Sequence, residues 1–218
     1  PDQTESSSTV PKGSFQIESG LLIIHDGGDS ERSIFLPATL FKYAISNTFE
    51  LRLQHDYNIK EYIAFNDKKS ISGIGDVQVG AKLFIYDGGK TQVSFLSHLI
   101  LPTGNKLFGH GDYATINKLS IGHELSEKVS LGYNLGFDYF NESILTYSVA
   151  LAFGLTDKVG VYLEPYGTFD ETEDHVSNFD MGFTYLVYNN LQLDFSFGFG
   201  LNNDMNYTSF GFSWNIPK

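Results

Sequence analysis

The chain has 218 residues, enough for one all-β domain, and its 26 acidic against 14 basic residues give a net charge of −12, which disfavours nucleic acid as a partner. Cysteine is absent, so there is neither a disulfide framework nor a thiol nucleophile. Mean hydropathy is −0.14 and no apolar run approaches the roughly 18 residues of a membrane helix, but barrel strands of about 9–11 residues escape that scan.

Residues 1–13 are rich in Ser, Thr and Pro and carry no periodicity, so they are expected to form a flexible periplasmic lead-in to a barrel over 14–218. The polar start at Pro1-Asp2-Gln3 reads as a mature N-terminus from which an export signal has been removed. From there on, bulky apolar residues alternate with small or polar ones. Strands are predicted at 14–25, 33–46, 49–60, 74–86, 91–103, 113–125, 129–140, 143–156, 159–169, 178–188, 191–201 and 207–216. Tight turns at Asn47-Thr48, Asp87-Gly88-Gly89-Lys90, Ser126-Glu127-Lys128, Asp157-Lys158 and Asn189-Asn190 follow every second strand. The intervening connections at 26–32, 61–73, 104–112, 170–177 and 202–206 are longer and more polar; Asn141-Glu142 alone is short. Short turns on one rim and long loops on the other are the pattern of an up-and-down outer-membrane barrel, and an even strand count puts both termini on the periplasmic, short-turn side.

The alternation alone does not say which face is outside; volume does. About twelve strands present on the order of fifty large apolar side chains, more than the lumen of one closed barrel holds. The other face is largely Gly, Ser, Asn and Gln, and charged residues are only 18 % of the chain, which fits a crowded lumen better than a solvated sandwich face. Interior glycines at 80, 132, 136, 182, 198, 200 and 211 suit that lumen too. The expected protein is therefore all-β, in the bacterial outer membrane, with lipid and lipopolysaccharide against its apolar face.

If that parity holds, the lumen is lined by Glu18, Lys42, Glu50, Arg52, Asp56, Asp76, Lys82, His98, Lys118, Glu124, Asp138, Tyr162, Glu164, Asp180 and Asp194. Lys42 is expected beside Glu50 and Arg52, and Lys82 close to Asp76. Two readings follow, an interior salt-bridge network that fills the barrel or a charged constriction that sets selectivity. Phe84, Tyr86, Leu96, Ile100, Phe140, Tyr162, Tyr166 and Leu186 also point inward by parity, a lining able to hold a hydrophobic small molecule or to plug the interior.

Pro1-Asp-Gln-Thr-Glu-Ser, Val10-Pro-Lys-Gly, Phe15-Gln-Ile-Glu-Ser-Gly, Gly73-Ile-Gly-Asp-Val-Gln-Val-Gly-Ala-Lys and Leu101-Pro-Thr-Gly resemble a family of outer-membrane transporter proteins, the MetA-like proteins of phenol-degradation pathways. The resemblance covers essentially the whole chain. It implies a barrel and a link to uptake of small, often aromatic compounds, and it supplies no catalytic residues. The ending Trp214-Asn-Ile-Pro-Lys218 departs from barrels that finish on an aromatic residue.

Catalysis is weighed and set aside. A surface lipid hydrolase needs nucleophile and base within hydrogen-bond reach, whereas lipid-facing His55 and Ser97 fall on strands with another strand between them. The acidic run Asp170-Glu171-Thr172-Glu173-Asp174-His175 matches no calcium loop and reads as solvated. No pattern asks for a cofactor or a metal. Loop 104–112 is glycine-rich without a phosphate-binding signature, and is expected to fold back over the lumen. The function expected is a narrow channel or binding barrel for small molecules. The alternative is a non-conducting accessory subunit of an outer-membrane protein complex, with the N-terminal tail reaching a partner.

Overall fold

The computed structural model describes residues 3–27, 31–64, 67–170 and 175–218. The described residues form thirteen antiparallel strands: β1 (Phe15–Asp26), β2 (Glu31–Ala44), β3 (Phe49–Ala64), β4 (Asp67–Ile74), β5 (Val77–Asp87), β6 (Thr91–Leu101), β7 (Ala114–Ser126), β8 (Val129–Tyr139), β9 (Ser143–Gly154), β10 (Val159–Asp170), β11 (Val176–Tyr188), β12 (Leu191–Gly200) and β13 (Met205–Ile216). Apart from β4 and β5, consecutive strands pair with each other; β5 also pairs with β3, and β1 with β13, which closes the sheet into a barrel, and among the described residues β4 pairs with β3 alone. Twelve positions make the wall. The thirteenth strand arises because β4 and β5 lie end to end along β3: β4 pairs with Tyr57–Ala64 and β5 with Phe49–Gln54, parted by Gly75-Asp76.

That break corrects the loop expected at 61–73, most of which is a hairpin extending β3. Tyr62 to Ala64 are all apolar and Asp67 to Ser70 all polar, so neither run alternates and period-two reading misses them. They are held by ladder pairs such as Glu61↔Ser70 and by ion pairs of Glu61 with Lys68 (3.1 Å) and Arg32 (3.5 Å).

The alternation is borne out in space. On β3, Glu50 and Arg52 are 1 % and 3 % exposed, whereas their neighbours Leu51 and Leu53 are 44 % and 42 % exposed. The buried set is mostly polar and the exposed set is Leu, Ile, Phe and Tyr, the reverse of a water-soluble barrel. At the tight-turn end His123 stacks on Tyr133 at 5.6 Å and accepts or donates to Thr91 Oγ1 at 2.9 Å. At the opposite end Tyr147, Phe169 and His175 form a second cluster, with ring centroids 4.3–5.8 Å apart. These are interfacial belts of the kind that flank a membrane barrel's apolar band.

Interior glycines leave room for large side chains from the neighbouring strand. A Cβ at Gly80 would collide with the His98 ring, one at Gly198 with Tyr207, and one at Gly182 with the Tyr162 hydroxyl 2.6 Å away. Two expectations about parity or proximity fail. A register shift between Phe84 and Tyr86 turns Tyr86 out of the lumen, to 55 % exposure. Asp76 and Lys82 lie six residues apart on one flank, roughly 20 Å at strand rise, so they do not pair.

Candidate functional site

The site is the lumen, and its geometry starts from the register. Antiparallel pairing sets Lys42 opposite Arg52 and Glu50 opposite Lys82, so β2, β3 and β5 contribute three cations to one wall. Lys42 Nζ donates to Glu18 Oε1 at 2.5 Å, and Arg52 Nη1 lies 3.7 Å from Glu50 Oε1. The facing wall carries acids: Glu164 on β10 and Asp180 on β11 are direct cross-strand partners, with Asp194 on β12 beyond. All three are almost fully buried. Tyr207, which parity also places inward, donates its hydroxyl to Asp180 Oδ2 at 2.8 Å.

Between the two walls runs the N-terminal segment. Gly13 N donates to Ala44 O at the tight-turn rim, and from there the chain passes inward. Val10 N donates to Glu50 Oε2 at 2.8 Å. The Glu5 carboxylate accepts from Arg52 Nη2 (2.7 Å), Arg52 Nη1 (3.0 Å) and Lys82 Nζ (3.2 Å). Lys82 Nζ also donates to the carbonyls of Ser6 (2.8 Å) and Ser8 (3.4 Å). Asn134 holds the Glu5 backbone from both sides, accepting its N–H at 2.6 Å and donating to its carbonyl at 3.1 Å. Thr4 donates to Ser148 Oγ at 2.7 Å, and Gln3 N to Glu164 Oε2 at 2.8 Å, on the acidic wall. The segment thus crosses the lumen from the basic wall to the acidic one. Gly122 and Gly132 make this approach possible, since a Cβ there would meet Ser7 Oγ at 2.5 Å and Thr4 Cγ2 at 3.3 Å.

Glu5 precedes the first strand. Burial on its own raises a carboxyl, but the charges of Arg52, Lys82 and Lys42 outweigh it and hold Glu5 well below the usual range. Sequence reading did not single out Glu5. No sequence signal marked it: parity also placed Asp56 and Asp76 on these strands, and only the closed barrel sets Lys42, Arg52 and Lys82 against Glu18 and Glu50.

Below the segment a cavity of about 1200 Å³ opens toward the tight-turn end. Thr4, Glu5, Ser6 and Ser7 line its inner limit, with Glu18, Lys42, Gln54, Gln92, Tyr162, Leu186, Gln192 and Asp194 around it and Glu124, exposed, at its mouth. Farther up, His98 Nδ1 is 3.2 Å from Gln78 Oε1, and Leu96 and Ile100 flank it on the buried face. Lys118 is half-buried, and buried Asp138 accepts from the Asn117 N–H at 3.2 Å.

At the end with the longer loops, the break between β4 and β5 is used. Asp76, buried, accepts from Gly104 N (2.7 Å) with one oxygen and from His110 N (2.6 Å) with the other, which pins loop 104–112 inward. His110 stacks edge-on against half-buried Phe140 at 5.4 Å. Half-buried Asp56 accepts from Asn58 Nδ2 at 2.6 Å beside it. On the outer face the Ser97 hydroxyl donates to Asn117 Oδ1 at 2.8 Å, and His55 lies two strands away on β3. Glu171 to Asp174 of the acidic run lie outside the described residues.

The fold matches known membrane barrels. An outer membrane channel from Pseudomonas putida F1 superposes with a TM-score of 0.74 at 12 % identity, over 99 % of this chain and 100 % of that one. The KdgM porin in complex with disordered oligogalacturonate matches at TM-score 0.64 and 10 % identity, covering 91 % and 98 %. The CymD monoaromatic hydrocarbon channel matches at 0.54 and 9 %, covering 96 % and 89 %. A search of curated proteins finds no match. The family profile described as "Putative MetA-pathway of phenol degradation" spans residues 1–216, nearly the full chain, and the protein belongs to that family.

Proposed function

We propose that this barrel is a narrow outer-membrane channel for small molecules, closed in the present state by residues 3–10. The observation that carries the reading is the cavity of about 1200 Å³ within a closed barrel, ending on a segment held by side chains rather than by sheet pairing. A plug fixed by side-chain contacts can leave without breaking the wall. The contrast of tight turns and longer loops supports a periplasmic position for the termini and the cavity mouth. The polar-plus-aromatic lining, and the likeness to a barrel described as a monoaromatic hydrocarbon channel, make small aromatic compounds the class to test first. The chain is read as carrying no catalytic step. The accessory-subunit reading rested on a plugged-looking interior and on a tail able to bind a partner; Gln3, Thr4 and Glu5 of that tail make their hydrogen bonds inside the barrel, which favours the channel.

The test is single-channel conductance and liposome swelling with the full chain and with a variant lacking residues 3–10. The shortened barrel is expected to conduct and to admit phenol. If neither protein conducts or admits solute, the channel reading falls.

A further inference from the structure

Glu5 fills a place that the wall alone leaves one negative charge short. Around it stand three cations, Lys42, Arg52 and Lys82, and two carboxylates, Glu18 and Glu50. Three minus two leaves +1, and the Glu5 carboxylate brings the sum to zero. A buried net charge without a counterion is costly, so this position demands a monoanion whether or not the N-terminal segment supplies it.

The contact geometry is that of carboxylate recognition. Arg52 presents Nη1 and Nη2 to the two Glu5 oxygens at 3.0 and 2.7 Å, the planar fork that suits a carboxylate, and Lys82 Nζ adds a point charge at 3.2 Å. Both cations are rigidly housed, with side chains 0 % and 1 % exposed. Glu5 itself keeps 23 % of its side chain exposed and lines the cavity with Glu18 and Lys42. A solute that enters the cavity therefore meets this carboxylate directly.

We infer that Arg52 and Lys82 form a binding site for small organic carboxylate monoanions, that Glu5 fills it as a tethered stand-in, and that a free carboxylate taking its place releases residues 3–10. Release opens a path only on the channel reading above; binding itself does not depend on it. A short tether gives Glu5 an effective concentration in the millimolar range, so a free competitor works at about millimolar levels.

The chain has no cysteine, so a nitroxide on Ser8→Cys reports the segment without background. Sodium benzoate is titrated against neutral benzyl alcohol at constant ionic strength. Benzoate is expected to mobilise the label with a midpoint of about 1–10 mM, and benzyl alcohol to leave it unmoved. In Glu5→Gln the tethered competitor is gone, so calorimetry should find benzoate bound at least ~10-fold more tightly. Adding Arg52→Gln to that variant should abolish binding; Arg52→Lys, which keeps the charge without the fork, should weaken it and covers the case where Arg52→Gln does not fold. Equal action of benzyl alcohol, or no gain in Glu5→Gln, overturns the site. If the barrel lacking residues 3–10 stays silent in bilayers while benzoate still mobilises the label, the channel reading fails and the site stands. If that barrel conducts and benzoate has no effect, the reverse holds.

Discussion

Replacing Glu5 with Gln keeps the side chain's shape and removes its charge, leaving Arg52 and Lys82 facing a net +1. Breaking a buried ion pair by removing one partner costs about 3–5 kcal/mol. Glu5 is 23 % exposed at the edge of a cavity, so solvent screening reduces this to about 2–3 kcal/mol. At 1.4 kcal/mol per decade, the docked segment loses roughly 30- to 140-fold against the released one. The Asn134 bonds to the Glu5 backbone, the Thr4–Ser148 bond and the Val10–Glu50 bond all survive the substitution, so docking weakens without disappearing. Single-channel recording in planar bilayers reads the result as a longer fraction of time in the conducting state. The wall is untouched, so the barrel's unfolding midpoint should stay near that of the parent. If Glu5→Gln shows the parent's open fraction and the Ser8 label remains equally immobile, the clasp does not hold the segment and the reasoning fails.

Acid should act through the same group. Because the folded-state value for Glu5 is depressed, its contribution is complete above the ordinary glutamate range near pH 4.3 and is lost only as pH falls through the depressed value. The Ser8 label is thus expected to stay immobile from pH 7 to about 4.5 and to loosen below that, with no such step in Glu5→Gln; release already at pH 5–6 would contradict the assignment. Asp76→Ala removes both anchors of loop 104–112, each a charge-assisted bond of about 1.5–3 kcal/mol. Trypsin should then cut at Lys106 at least ~10-fold faster than in the parent, and an unchanged rate would show the loop is held by other contacts. Leu53→Arg places a cation on the exposed apolar face and should destabilise the barrel in lipid vesicles by about 2–4 kcal/mol if it lies near mid-membrane. Urea titration measures this, and a neutral substitution would place Leu53 away from lipid.

The architecture was legible because a strand's parity is a local property. Any residue two positions from Arg52 along β3 faces the same way until a bulge intervenes, so the run Phe49 to Leu53 alone assigns Glu50 and Arg52 to one face. Volume then decided that the apolar face looks outward, since no lumen of this size could contain it. Parity misled at Tyr86, where the shift after Phe84 is set by how two strands close their turn and leaves no mark on the alternation. The hairpin of β3 with β4 was hidden because neither Tyr62 to Ala64 nor Asp67 to Ser70 alternates, although ladder pairing and the Glu61 ion pairs hold it. The N-terminal segment was hidden for a deeper reason. Residues 3–13 have no periodicity, so they present no face to read, and Glu5 meets Arg52 and Lys82 across 47 and 77 residues of chain. Parity and side-chain volume were therefore enough for the polar lumen and the apolar outer face, because side-chain direction alternates residue by residue. The excess cation among Lys42, Arg52 and Lys82, and the acid that meets it, came from the closed barrel alone, because charge balance is a sum over side chains that closure brings within reach.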